Sequence, residues 1–282
     1  MSRVPSVEFS GRSFRHGCRT YLGLFIAIIA QVGLAAAARG ETAEDRGLAI
    51  VREAERRNQG WTDSVAEARM ILRDRQGNAS ERLMELRSLE AAPGDDGGRT
   101  LLFFRSPPDV DGTTLLTHAH KAHEDDQWLY LPEIKRVKRI SGSGKSGSFM
   151  GSEFSYEDMR DAQIEKYTFR FQGEEDCGAE RCFVIERRPR DADSMYVRQL
   201  VWIDTAEYRT MKTAFFDRKH FHLKTLTLGD YRRYLDRYWR PHRLVMENHQ
   251  TGRSTELLWL GYRFRQNLAV RDFNQASLSW LR

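Results

Sequence analysis

After residue 61 the sequence shows almost no helical pattern, and this lack constrains the fold more than any motif does. A parallel sheet needs helices between its strands, so that class is excluded. Beyond residue 38 there is no apolar run long enough to cross a bilayer as a helix. Cysteine is scarce: of three in the chain, two follow residue 38, Cys177 and Cys182 in "DCGAERC". No second cysteine pair exists to complete a structural zinc site. There is no G-x-S-x-G, no H-E-x-x-H and no distinctive Ser-His-Asp order, so no residue is assigned a catalytic role.

One motif comes close. "RISGSGKSGSFMGSEFSYEDM", residues 139–159, contains Gly144-Lys145-Ser146, the end of a phosphate-binding P-loop. The P-loop spacing places its leading glycine at Arg139, where the backbone cannot fold as tightly around a phosphate. The flanks disagree too: charged "EIKRVKRIS" precedes it and "SGSFMGS", a poor helix start, follows. The stretch reads as a glycine-serine loop.

The first forty residues differ from the rest. "MSRVPSVEFSGRSFRHGCRT" is basic, "YLGLFIAIIAQVGLAAAA" is apolar, and small residues precede Arg39. This order predicts a secretory signal peptide over residues 1–38, the alternative being an uncleaved anchor helix. Cys18 precedes the apolar core, so it is not placed to be a lipidated first residue. The formal charge of +5 is partly a property of this segment. Without residues 1–38 the chain has 41 basic and 39 acidic residues. Export and near-neutrality together argue against nucleic acid as a partner. An exported chain sits where disulfides persist, so Cys177 and Cys182 are expected to pair, with free thiols or a metal half-site as alternatives.

Residues 41–61 read as one amphipathic helix, with Thr42 and Asp45 as a capping pair and Gly60 as a stop. The remainder has strand character. "AEARMIL" puts Ala66, Ala68, Met70 and Leu72 on one face, and "KYTFRFQG" does the same for Tyr167, Phe169 and Phe171. Roughly eleven strands at short, regular spacing predict a mainly β fold: one large, curved antiparallel sheet and no second domain. Such a sheet must cover its apolar face, and only the helix and the 141–163 loop are available as lids. Its interior is either filled by side chains or left as a cavity for a hydrophobic ligand.

Three clusters could carry chemistry. "THAHKAHEDD" holds His118, His120 and His123, and His-x-His on a strand aims both rings to one side, as metal ligation requires. Its alternative is a solvated polar loop. A metal-dependent hydrolase using this trio is the competing functional reading. "KRVKR" offers Lys135, Arg136, Lys138 and Arg139, either as an edge strand protected by charge or as a patch for a lipid head group or membrane partner. Glu153, Glu157 and Asp158 flank the lid-like loop, or else serve as helix N-terminal acids after Ser155.

Several stretches carry a family resemblance. "FFRSPPDVDGTTLL" and "DDQWLYLPEIKRVKRISGSGKSGSFMGSEFSYEDM" resemble the outer-membrane lipoprotein-sorting protein family of the LolA-like superfamily. "VWIDTAEYRTMKTAFFDRKHFHLKTL", "YWRPHRLVMENHQTGRSTELL" and "RDFNQASLSWL" are similar to its later strands and ending. The resemblance covers about residues 44–282. It implies an unclosed antiparallel β-barrel over residues 39–282, capped by an N-terminal helix and a lid loop and enclosing a cavity for acyl chains. It implies a periplasmic carrier of lipid or lipoprotein, in transient contact with membrane surfaces, working beside an RND-type inner-membrane exporter and needing no cofactor. The glycine-serine loop then looks like a flexible strand connection. The Cys177–Cys182 loop departs from the shared pattern. A filled core, making the chain a non-catalytic envelope scaffold, stays open beside the carrier. On the carrier reading the cavity is lined by Met70, Leu72, Phe104, Trp128, Tyr130, Phe149, Met150, Phe154, Phe169 and Trp202.

Overall fold

Thirteen segments alternate in hydrophobicity closely enough to form strands, and all join one antiparallel sheet. The computed structural model describes residues 40–278 apart from Ala162. The expected signal peptide, Cys18 and the last residues of the terminal stretch lie outside the described residues. The strands are β1 (Asp63–Arg73), β2 (Ala79–Leu89), β3 (Arg99–Ser106), β4 (Thr114–His118), β5 (Asp126–Leu131), β6 (Arg136–Ile140) and β7 (Tyr167–Cys177). They continue with β8 (Glu180–Pro189), β9 (Tyr196–Asp204), β10 (Thr210–Asp217), β11 (His222–Tyr234), β12 (Tyr238–Asn248) and β13 (Ser254–Phe264). Every segment the pattern marks as a strand is one, though the total is two above the expected eleven.

Two meanders make up the sheet. Strands β1 to β6 run outward in order, β7 to β13 run from the far edge back inward, and β1 pairs with β13 to join them. β6 and β7 are left as outer edges, so the barrel is unclosed. The chain between those edges, residues 141–166, crosses one face of the sheet as the lid.

Period-two alternation sorts the core. Met70, Met84, Leu102, Phe104, Leu115, Leu129 and Leu257 point to the lid face and are all buried. Their neighbours Leu101, Phe103, Leu116 and Tyr130 point the other way, where Phe273 and Leu278 of the C-terminal segment cover them. Each fully buried apolar side chain contributes about 1.5–3 kcal/mol. The hydrophobic effect therefore requires a cover on both faces.

The one α-helix among the described residues, α1 (Ala43–Arg57), caps the β7–β9 end of the lid face. Thr42 and Asp45 form the expected capping box, worth about 1 kcal/mol. Ile50 packs with Phe169, Ile185, Val201 and Ile203. Helix and strand meet at Gly47, where a Cβ would lie 2.8 Å from the backbone nitrogen of Phe171. Any side chain there would push α1 off the sheet.

Lys135 departs from the sequence reading. It is not in the basic strand but in a left-handed turn, φ 50°, just before it. Only Arg136 to Ile140 pair, at the edge of the sheet. Cys177 and Cys182 form a disulfide across the β7–β8 hairpin, Cα atoms 5.9 Å apart.

Candidate functional site: the lidded face

The lid begins with a short 3-10 turn over Gly142–Ser146. That turn is neither a P-loop nor an unanchored connection. Lys145 is 2 % exposed, and its ammonium meets Glu124 and lies 2.7 Å from Asp191. Burial alone would lower its pKa, but the hydrogen bonds to Asp191 and Glu124 and their charge hold it above the ordinary lysine value. A cation committed to two carboxylates is not free to bind a phosphate.

Past this turn the lid drives aromatic side chains into the sheet. Phe149 is fully buried, stacked on Phe104 with ring centroids 5.7 Å apart. Tyr156 meets Phe149 edge-on, and Phe154 joins the same cluster. At the lid tip Met150 and Gly151 both take positive φ, 51° and 76°. For Met150 that conformation costs roughly 1–2 kcal/mol. The Arg82 guanidinium donates to the Met150 carbonyl, and Arg253 Nη2 donates to the Gly151 carbonyl at 3.1 Å, holding the tip down.

Around this apolar plug lies a ring of polar latches. Lys224 Nζ projects from the sheet to Asp158 Oδ2 at 2.5 Å and also donates to the Glu153 carbonyl at 2.9 Å. Tyr196 Oη donates to Asp158 Oδ1 at 2.6 Å. Burial first, and then the Asp158 charge, push the Tyr196 phenol well above its usual pKa, so it remains a donor. Glu153 accepts from Asn248 Nδ2 at 2.7 Å and pairs with Arg253 at 3.1 Å. Glu157 accepts from Ser194 Oγ at 2.5 Å and from the Met195 amide at 3.0 Å. Reading these acids as helix N-terminal residues is thus corrected: among the described residues no α-helix follows Ser155, Asp158 and Glu153 fasten the lid to the sheet, and Glu157 fastens it to the β8–β9 loop. Lys224, Tyr196, Asn248 and Arg253 are partners that sequence reasoning missed.

The ten residues expected to line a cavity separate into groups. Met70, Leu72, Phe104, Phe149, Met150 and Phe154 meet in the lid-face cluster. Phe169 shares that face but lies under α1. Trp128, Tyr130 and Trp202 point to the opposite face, the first two beside Phe273 and the last against Val184 and Ala214. The space beneath the lid is filled by the lid's own aromatic side chains.

An open groove of about 820 Å³ runs along the lid's edge. The glycine-serine turn contributes Ser143 and Ser146, and the β10–β11 hairpin contributes Arg218, Lys219, Phe221 and His222. None of the ten expected residues lines it. Met195, which packs against the lid-face cluster, connects groove to core.

The basic strand is exposed at residues 136–139. Arg136 and Lys138 lie opposite Leu131 and Leu129 and so share the lid face. Arg139 turns the other way and holds Asp126 at 2.5 Å.

The histidine trio does not converge. His118 is the last residue of β4; its Nε2 lies 2.8 Å from the Phe273 carbonyl oxygen and its ring stands edge-on to Trp128. Burial pushes its pKa down. The strand ends there, so the alternation that would align His118 with His120 is lost. His120 instead faces Asp96 and Asp126.

Comparison with known proteins agrees with this architecture. A family model described as an uncharacterized protein family matches residues 96–280. An outer membrane lipoprotein-sorting protein domain from Vibrio parahaemolyticus is 50% identical, with a TM-score of 0.81 over 84% of this chain and 99% of that one. A DUF1329 family protein from Desulfovibrio piger is 26% identical, with a TM-score of 0.79 over 84% and 99% of the two chains. A LolA superfamily protein from Nitrosomonas europaea shares the fold at 17% identity, with a TM-score of 0.65 over 82% and 98%. No curated protein matches the chain.

Proposed function

Because this chain belongs to the outer-membrane lipoprotein-sorting protein family of the LolA-like superfamily, we propose that it is a periplasmic carrier holding the acyl chain of a lipid or lipoprotein against its lid face. One observation carries this reading. The large apolar face is covered by a loop whose fastenings are polar side chains at its rim. Such a cover can be exchanged for another apolar group without unfolding the sheet.

The energetics fit a carrier. Displacing Phe149, Phe154 and Tyr156 forfeits roughly 5–9 kcal/mol of burial. A sixteen-carbon chain taking their place regains on the order of 10 kcal/mol before ordering costs. The two burial terms are of similar size, and the polar latches that must open add to the cost of loading. The groove beside Met195 and Phe221 gives the chain a way in. Arg136 and Lys138, with Lys135 next to them, form the patch that meets an anionic head group, the membrane surface or a partner; Arg139, turned away and paired with Asp126, stands outside it.

In this proposal residues 1–38 direct export and are cleaved, and residues 39–282 do the carrying. An RND-type exporter of the inner membrane supplies or receives the cargo; that partner rests on the sequence resemblance alone. The role is one of binding and handover, without bond chemistry.

Native mass spectrometry of gently purified protein tests it. Adducts with the mass of an acylated molecule are expected, lost on Phe104→Asp. Protein that is always empty and takes up no fatty-acid probe would overturn the proposal.

A further inference from the structure

We propose that Asp96, His120 and His123 form a site for a divalent transition-metal ion, zinc(II) being the probe of choice, clamping the β2–β3 loop to the β4–β5 loop. Two imidazoles and one carboxylate are borderline donors, suited to zinc, copper or nickel and poorly suited to magnesium or calcium.

The ligand atoms stand close together, the shortest contact being a hydrogen bond that an ion would replace. His120 Nδ1 lies 2.6 Å from Asp96 Oδ2, and His123 Nε2 lies 3.4 Å from the same oxygen. The two rings are tilted together with centroids 3.9 Å apart. Each histidine has its other nitrogen occupied by an acceptor: Asp126 Oδ2 at 3.2 Å for His120 Nε2, the Glu124 carbonyl at 2.9 Å for His123 Nδ1. That is how metal-binding imidazoles are oriented and their free nitrogen made more basic. Asp96 is held similarly, its Oδ1 accepting the Lys121 amide at 3.1 Å, which leaves Oδ2 for the ion.

The two loops are seated for this. A Cβ on Gly97 would fall 2.1 Å from the Ala119 carbonyl oxygen, so only glycine lets the β2–β3 loop pass this close to His120. A cavity of about 90 Å³, lined in part by Asp96, Gly98, His118 and His120, adjoins the ligands and has room for a water as fourth ligand. A nearby acidic group, Glu124, Asp191 and Asp193, differs in kind, because Lys145 already supplies its positive charge.

The loop carrying His120 and His123 also carries Glu124 and Asp125. Glu124 holds Lys145 of the lid and Asp125 holds Lys166. A bound ion would therefore stiffen the lid's anchor, independently of whether the protein carries lipid.

Zinc titration of the full chain, purified without a histidine tag, tests the assignment, with cobalt(II) as a spectroscopic probe. The expected results are one equivalent of bound zinc, a raised melting temperature and a cobalt d–d absorption. His120→Ala with His123→Gln should abolish all three while the metal-free far-ultraviolet spectrum stays unchanged. Asp126→Asn should weaken zinc by about 10–100-fold. His249→Gln should change nothing, which separates this site from the His222–His249 pair, whose ring centroids are 4.3 Å apart. Wild-type protein that binds no zinc, or zinc binding that survives the double substitution, would overturn the proposal. If the double variant does not fold, His123→Gln alone decides: this exposed side chain can change without disturbing the core, and unchanged affinity counts against the site.

Discussion

Lys224 on β11 and Asp158 in the lid form an ion pair at 2.5 Å with both side chains almost wholly buried. Across 66 residues of sequence, this contact fastens the lid loop to a strand of the sheet. Removing one partner strands the other charge in a dry site, which costs about 3–5 kcal/mol. Lys224→Ala should therefore lower stability by that amount, measured by urea unfolding. Hydrogen exchange should rise at the lid amides of residues 149–158 while β1 and β13 stay protected. Equal deprotection of sheet and lid would mean that Lys224 supports the whole fold and not the cover.

The Phe104–Phe149 stack gives a second test. Phe149 is fully buried, so Phe149→Ala removes its transfer energy and leaves a cavity, for about 3–5 kcal/mol. The same cavity is apolar and lies where an acyl chain is proposed to sit. Fatty-acid probe affinity should rise in Phe149→Ala even as the midpoint of urea unfolding falls. Lower affinity would show that Phe149 helps grip the ligand and does not compete with it.

The Lys145–Asp191 contact predicts a pH dependence. Burial would raise the Asp191 pKa, but the hydrogen bonds from Lys145 and the Asp193 amide, together with the charges of Lys145 and Arg160, outweigh it and hold the carboxyl below the usual aspartate value. Its contribution is present above the unfolded aspartate pKa, about 3.9, and is lost as pH falls through the lowered folded value. Lys145 is shifted upward, so its share is complete below the ordinary lysine pKa and fades as pH climbs through the raised one. The anchor should be constant from about pH 5 to 9 and weaken in strong acid. Melting temperature against pH, compared with Asp191→Asn, checks this; identical acid slopes in the two proteins would contradict it.

The disulfide lies at the tip of the β7–β8 hairpin, with Cys182 buried on the face away from the lid. A loop this short is stabilised by about 2 kcal/mol. Cys177→Ala with Cys182→Ala should cost about that much and leave fatty-acid probe binding unaltered. A change in probe affinity would tie the hairpin to the site.

The architecture was legible because period-two alternation is a local property. "AEARMIL" predicts the buried face of β1 correctly, and Thr42 with Asp45 announces α1. Face assignment between strands was harder. Trp128 and Tyr130 flank Leu129, which points under the lid, so both must point away from it. A choice of one residue in parity moves an aromatic pair across the sheet. The latches could not be read at all, since the carboxylates of Glu157 and Glu153 find Ser194 and Asn248, 37 and 95 residues distant, and Asp158 finds Lys224, 66 residues away. His118 and His120 separate because the strand stops between them, an end point that alternation does not mark.

The central claim is that a guest acyl chain and the lid's aromatic residues compete for one apolar face. Hydrogen exchange of the lid with and without a saturating single-chain lipid measures this directly. Phe149, Ser152, Tyr156 and Glu157 have amides bonded within the lid, so their exchange reports its packing. The account predicts that lipid binds and speeds exchange at those four amides while the strands hold. Lipid that binds and leaves all four protected would contradict it.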